Sequence, residues 1–228
     1  MRKYLILISG LMISISAFSQ KFELSIDSII DLEIEKHKTR NISTIGYTKM
    51  ACVNYGITAT AYLFWYENDK TFFQKFSDSE YDKNPVQRFR PIEIIDSIFF
   101  AFYNANGDQL LSEEAESFAY RSDSTRQLYV SRPHSCFRSF KVFTKGKVLH
   151  KYFDFFDLRE FKEDKIDNSK LSKERIQELK QMGWEVDPPT RNINFETNNT
   201  LKIVEWDLLI SEFIEQMETE NVFVEIEK

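Results

Sequence analysis

Two pairs of β-branched and aromatic runs, each doubling back about a four-residue polar turn, constrain this chain more than any other feature. Residues 58–66 (TATAYLFWY) lead into Glu67-Asn68-Asp69-Lys70, and residues 71–76 return. Residues 137–143 and 148–156 flank Thr144-Lys145-Gly146-Lys147 in the same way. Such runs favour pleated, half-buried backbone, and the short turns leave only an antiparallel return. A further strand is expected over 126–130. Residues 221–228 (NVFVEIEK) alternate as a terminal edge strand should.

Helical periodicity appears between these strands. Residues 25–38 place Ile26, Ile29, Ile30 and Leu32 on one face with Glu33, Glu35 and Lys36 outward; Ser28 to Asp31 is a loose capping box. Ser112-Glu113-Glu114 reads as a helix start. Ser172 caps a helix running to Met182, with Leu171 stapled to Ile176 and Gly183 as its stop. Residues 206–217 are amphipathic, with Trp206, Leu209, Ile210, Phe213 and Met217 aligned. Residues 92–103 are apolar and suit helix or strand; the Asn106-Gly107 pair after them favours a strand entering a tight reversal. Strands in hairpins with isolated helices, and no βαβ alternation, define an α+β fold: a mainly antiparallel sheet with about four helices packed on it. Residues 77–90 and 157–170 read as loops. The second of these and the break at 187–190 are the only candidate boundaries, so residues 20–228 are expected to form one domain.

The N-terminus reads as a signal peptide over residues 1–19. Arg2 and Lys3 precede an apolar run, and Ala17 and Ser19 occupy the positions a signal peptidase reads before Gln20. The signal resembles those of Gram-negative bacterial exported proteins. It implies a periplasmic or extracellular protein, soluble after cleavage, with no stable membrane insertion. Cleavage moves the net charge from −6 to −8, because two basic residues leave and no acidic ones do. A mildly acidic chain without a basic block argues against nucleic acid as a partner.

Glycine is scarce after residue 19, with only Gly46, Gly56, Gly107, Gly146 and Gly183. Phosphate-wrapping loops need clustered glycines, and no nucleotide-binding or nucleophile-elbow pattern is present. No cofactor is expected.

The chemistry-bearing residues gather in SRPHSCFRSF, residues 131–140. Cys136 has His134 two residues before it and Arg132 and Arg138 on either side. Positive neighbours and a histidine can activate a thiol, and His150, oriented by Asp154, is a second candidate base. Cys52 is the other cysteine after residue 19, so an exported protein could equally bridge Cys52 to Cys136, or bury both thiols separately. Register weighs against His150. A two- or four-residue loop within 144–147 sets Cys136 opposite Phe155 and His150 opposite Lys141, on opposite sheet faces; a three-residue loop would reverse this. A zinc site from His134, Cys136 and His150 matches no standard ligand spacing, and no metal is expected.

Bland readings fit the rest. His37 suits the negative end of the first helix as a cation. Glu212, Glu215, Glu218 and Glu220 form an outward helix face. The run Tyr152-Phe153-Asp154-Phe155-Phe156 could show rings on both sheet faces. Asn41-Ile42-Ser43 and Asn198-Asn199-Thr200 match the glycosylation pattern. The expected role is a non-enzymatic binding protein of the bacterial cell envelope, with another protein as partner. The alternatives are a hydrolase using Cys136 with a nearby histidine, and a structural or assembly component. An exposed aromatic face would favour binding, a polar cleft at Cys136 the enzyme, and a long open edge at 221–228 assembly.

Overall fold

The central strand is β1, Ser43–Val53, and every other part of the large sheet is arranged around it. The computed structural model describes residues 25–53, 56–79, 86–95, 97–121, 126–130, 136–161, 171–182 and 191–226, without the side chains of 51–53, 56–58 and 79. The expected signal peptide, Arg132, His134, the stretch 162–170, Gly183 and the break at 187–190 lie outside these residues.

On one side of β1 lies the hairpin of β2 (Gly56–Glu67) and β3 (Lys70–Ser79), and on the other the strand β8 (Phe137–Thr144), which turns into β9 (Lys147–Asp154). Both hairpins turn where expected. Asn68 and Asp69 have φ of 52° and 61°, and Lys145 and Gly146 have 48° and 76°. Two successive left-handed residues make a turn whose twist matches the strands it joins. Short β4 (Gln87–Arg88) and β5 (Ile92–Ile94) pair with β3. A separate two-stranded sheet joins β6 (Ala119–Arg121) to β7 (Gln127–Tyr129). The fold is α+β with a mainly antiparallel sheet of seven strands.

Helices cover both faces of the large sheet. On one face lies α1, Ile26–Thr39, whose Ile26, Ile29, Ile30 and Ile34 pack on Ala61, Leu63 and Phe76. Its cap is Ser25, which accepts from the Ser28 amide. Leu32 is exposed and Ile34 takes the core position, because residues four apart share a helix face. At Gly46 in β1 the sheet meets this helix with no room for a side chain: a Cβ there would stand 2.8 Å from Ile30 Cγ2.

On the other face lie α2, Ile98–Ser112, and α5, Lys202–Thr219. Phe99, Tyr103, Trp206 and Ile210 pack there on Tyr47, Phe64, Phe73 and Phe140. Trp206 is fully buried and stacks on Phe140 at 5.1 Å. Each such ring stabilises the fold by about 1.5–3 kcal/mol relative to exposure.

Several sequence expectations need correction. The Asn-Gly turn does not form; α2 runs straight through residues 104–107, since Phe99, Phe100, Tyr103 and Leu110 recur at helical spacing and bury. Gly107 sits on an open surface, where glycine costs a helix only about 1 kcal/mol. Ser112 ends this helix rather than starting one, and Glu113 is its C-cap. Among the described residues 221–226 no strand forms: a single bridge joins Phe89 to Glu225. Strand β1 and the short α4 (Phe195–Asn199) were not anticipated. The helix capped by Ser172, α3 (Lys173–Gln181), buries no residue.

Candidate functional site

The register of β8 with β9 follows the two-residue turn, and it separates the sequence candidates. His150 pairs with Lys141, and the Phe155 amide donates to the Cys136 carbonyl at 2.8 Å. Cys136 is partly buried at the start of β8, on the face covered by α2 and α5. His150 is exposed on the opposite face, where its Nε2 lies 3.4 Å from Ser139 Oγ. The sheet therefore keeps these two side chains apart. No disulfide occurs among the described residues. If continued, the register of β1 with β8 would set Cys136 opposite Ala51, one position from Cys52. Among the described residues no group of three or more His, Cys, Asp or Glu side chains is arranged to hold a metal ion.

Two residues beyond Cys136 on the same face stands Arg138, and here the structure builds its most polar interior. The Arg138 Nε lies 3.4 Å from Asp207 Oδ1, with both side chains buried. Tyr47 donates to the same Asp207 oxygen at 2.7 Å and lies 3.0 Å from Ser211 Oγ. The guanidinium also sits over the Phe155 ring at 5.1 Å. Burial pushes the Asp207 carboxyl above its usual range, although Tyr47, Arg138 and Lys49 pull the other way. Burial likewise pushes the Tyr47 phenol up, helped by the charge of Asp207. The cluster is an anchor between α5 and the sheet: its groups are spent on one another and sealed from water.

Other candidates prove structural. Asn198 is fully buried; it accepts from the Glu116 amide and donates to the Glu116 and Asp157 carbonyls. It ties α4 to the segments around Glu116 and Asp157 and is closed to glycosylation in the folded chain. Glu218 is half-buried, unlike its exposed acidic neighbours: it accepts from Tyr62 at 2.9 Å and pairs with Lys75 at 2.6 Å.

His37 lies in the last turn of α1 as expected, but its surroundings disfavour the cation. Its Nδ1 meets Thr44 Oγ1 at 3.0 Å and its ring lies 5.2 Å from Trp65. Burial, the largest influence, lowers its pKa below 6.5. A histidine whose folded pKa is lowered favours the fold while neutral, so its contribution is complete above 6.5 and is lost as pH falls toward the folded value. The melting temperature will therefore fall on acidification from about pH 7.5 to about 5.5, and His37→Gln will remove part of that fall. An unchanged slope in the variant would contradict the assignment.

What remains open to solvent is the other half of the sheet face that α1 covers. This helix packs on β1, β2 and β3; on β8, Phe143 is buried in the same apolar cluster and Lys141 pairs with Asp31 at 2.7 Å. Beyond Lys141, the face shows Phe137, Val148, His150 and Tyr152. Tyr152 is 71% exposed, Val148 61% and Phe137 38%. Among the described residues β9 also ends the strand order. In an antiparallel ladder, hydrogen-bonded and non-bonded pairs alternate. The Phe155 to Cys136 bond puts Leu149, Lys151 and Phe153 in bonded pairs with β8. The backbone N–H and C=O groups of Val148, His150 and Tyr152 consequently point away from β8, along the outer edge.

No known family model, curated protein or solved structure matches the chain. The opposite edge of the sheet is closed: Arg90 N donates to Val224 O and Ile226 N to Arg88 O, at 2.8 Å each. A cleft of about 280 Å³ opens at the turn end of β9, lined by Asn104, Asn106, Asp108, Lys145 and Lys147 among others. No helix among the described residues is long and apolar enough to cross a membrane. The combination of exposed rings, an aliphatic side chain and outward backbone groups can bind.

Sequence could have found part of this face. Residues 152–156 singled out the rings, and the turn fixes which of them share a side. That β9 is an edge follows only from strand order, which no local pattern carries.

Proposed function

We propose that the chain is an exported, non-enzymatic protein of the bacterial cell envelope that binds another protein through the open face of the β8–β9 hairpin. The observation that carries this reading is Tyr152, 71% exposed beside Val148 on an edge strand. Large apolar side chains grouped on one uncovered sheet face are the usual mark of an interaction surface, and tyrosine offers contact area at low entropic cost. Export is supported by the signal-like residues 1–19 and periplasmic residence by their character. The acidic balance of the chain supports a protein partner over nucleic acid.

The test is site-specific photo-crosslinking in the host. A photoreactive residue at Tyr152 will give a discrete heavier adduct, whereas the same residue at Leu208, which is exposed on α5, will not. No adduct from position 152, or identical adducts from both positions, would overturn the reading.

A further inference from the structure

The open face and the open edge of β9 coincide, and their charge is opposite to that of the protein. Between residues 145 and 154 the chain carries Lys145, Lys147 and Lys151 against Asp154 alone, with His150 between them, while the whole chain has a net charge of −6. Lys145, Lys147 and His150 are exposed; Lys147 and Lys151 have the parity of Leu149, and there Lys147 lines the cleft beside α2 while Lys151 donates to the Glu113 carbonyl. Asp154 is occupied in capping the Phe156 amide at 2.8 Å. The edge thus offers three residues of outward backbone, at Val148, His150 and Tyr152, bordered at the turn end by Lys145 and Lys147, with Asp108 lining the same cleft.

We infer that the partner engages β9 by strand addition, as an extended acidic segment that continues the sheet. This rests on the reading that the open face binds a protein, and deepens it by naming what binds. Strand addition takes its affinity from main-chain hydrogen bonds and its specificity from alternate side chains. On the incoming strand, one set of alternate residues would lie beside Val148 and Tyr152 on the open face. Carboxylates near the turn end would meet Lys145 and Lys147. A second copy of this chain is the less suitable occupant, because it would bring the same lysines to the same edge, and like charges across paired strands repel. No segment among the described residues fills the position: Val224 and Ile226 lie on the far edge, against Arg90 and Arg88.

The probes are two short capped peptides, one alternating Glu with Thr and the other Lys with Thr. Amide exchange by NMR is the readout, on the full exported protein. The Glu–Thr peptide will slow exchange at Val148, His150 and Tyr152, and will bind roughly tenfold more tightly than the Lys–Thr peptide. Alternate N-methylation of its backbone will abolish the effect, and K145E with K147E will reverse the preference between the two peptides. Equal binding of both peptides, or binding that survives N-methylation, would overturn the inference. So would a concentration-dependent dimer protecting the same three amides, which would make a second copy the occupant. Failure here is separable from failure of the broader reading. A crosslinked adduct at position 152 without protection of these amides in the complex leaves the binding face standing and removes strand addition; loss of both removes both.

Discussion

Replacing Asp207 by alanine will lower the unfolding free energy by about 3–5 kcal/mol, because it leaves the Arg138 guanidinium buried without a counter-charge. The two side chains are almost wholly enclosed between α5 and the sheet, and Arg138 Nε makes no hydrogen bond among the described residues, only the ion pair at 3.4 Å. Removing one partner therefore costs far more than the pair contributes. Arg138→Met combined with Asp207→Leu will recover most of the loss, since apolar groups of similar size remove both desolvation penalties. Urea unfolding of both single variants and the double variant checks this. Additive losses in the double variant would mean the two charges are not coupled. The pH dependence has a definite sign. A carboxyl raised above 3.8 in the fold binds its proton more readily than in the unfolded chain. Its titration alone thus adds stability as pH falls through the folded value toward 3.8, the reverse of an ordinary surface carboxylate.

Gly46→Ala will cost about 1–3 kcal/mol, and Gly46→Val more, although neither changes the polarity of the strand. The new Cβ would lie 2.8 Å from Ile30 Cγ2 and 3.2 Å from Ile34 Cδ1. Ile30 is fully buried and β-branched, so it has no second rotamer to retreat into. The backbone at Gly46 has no positive φ, which leaves this contact as the whole cause. In an Ile30→Ala background the same Gly46→Ala change will cost less than in the native chain. Equal costs in both backgrounds would mean that α1 does not rest on β1 at this point.

Legibility in the sequence varied with how local the signal was. The two hairpins were plain because turn and strands lie within a few residues, and the turn at Lys145-Gly146 was enough to set Cys136 and His150 on opposite faces. The central strand escaped notice for the opposite reason. β1 is covered on both sides, so its Thr44, Thr48 and Tyr47 are all buried and no alternation remains to be read. At residues 104–107 the turn chemistry was genuine but weaker than the packing of α2 against α5. The Tyr47–Asp207 bond joins residues 160 positions apart and has no local signature. The candidate binding face was half legible: its rings stand out in the sequence, whereas its edge depends on the order of the strands.

The most direct measurement is amide hydrogen exchange along β9 in the protein without any partner. The account predicts alternation: Leu149, Lys151 and Phe153 protected by β8, and Val148, His150 and Tyr152 exchanging roughly a hundredfold faster. Uniform protection of all six amides would show that another strand already occupies the edge, and would contradict the claim that β9 is open to a partner.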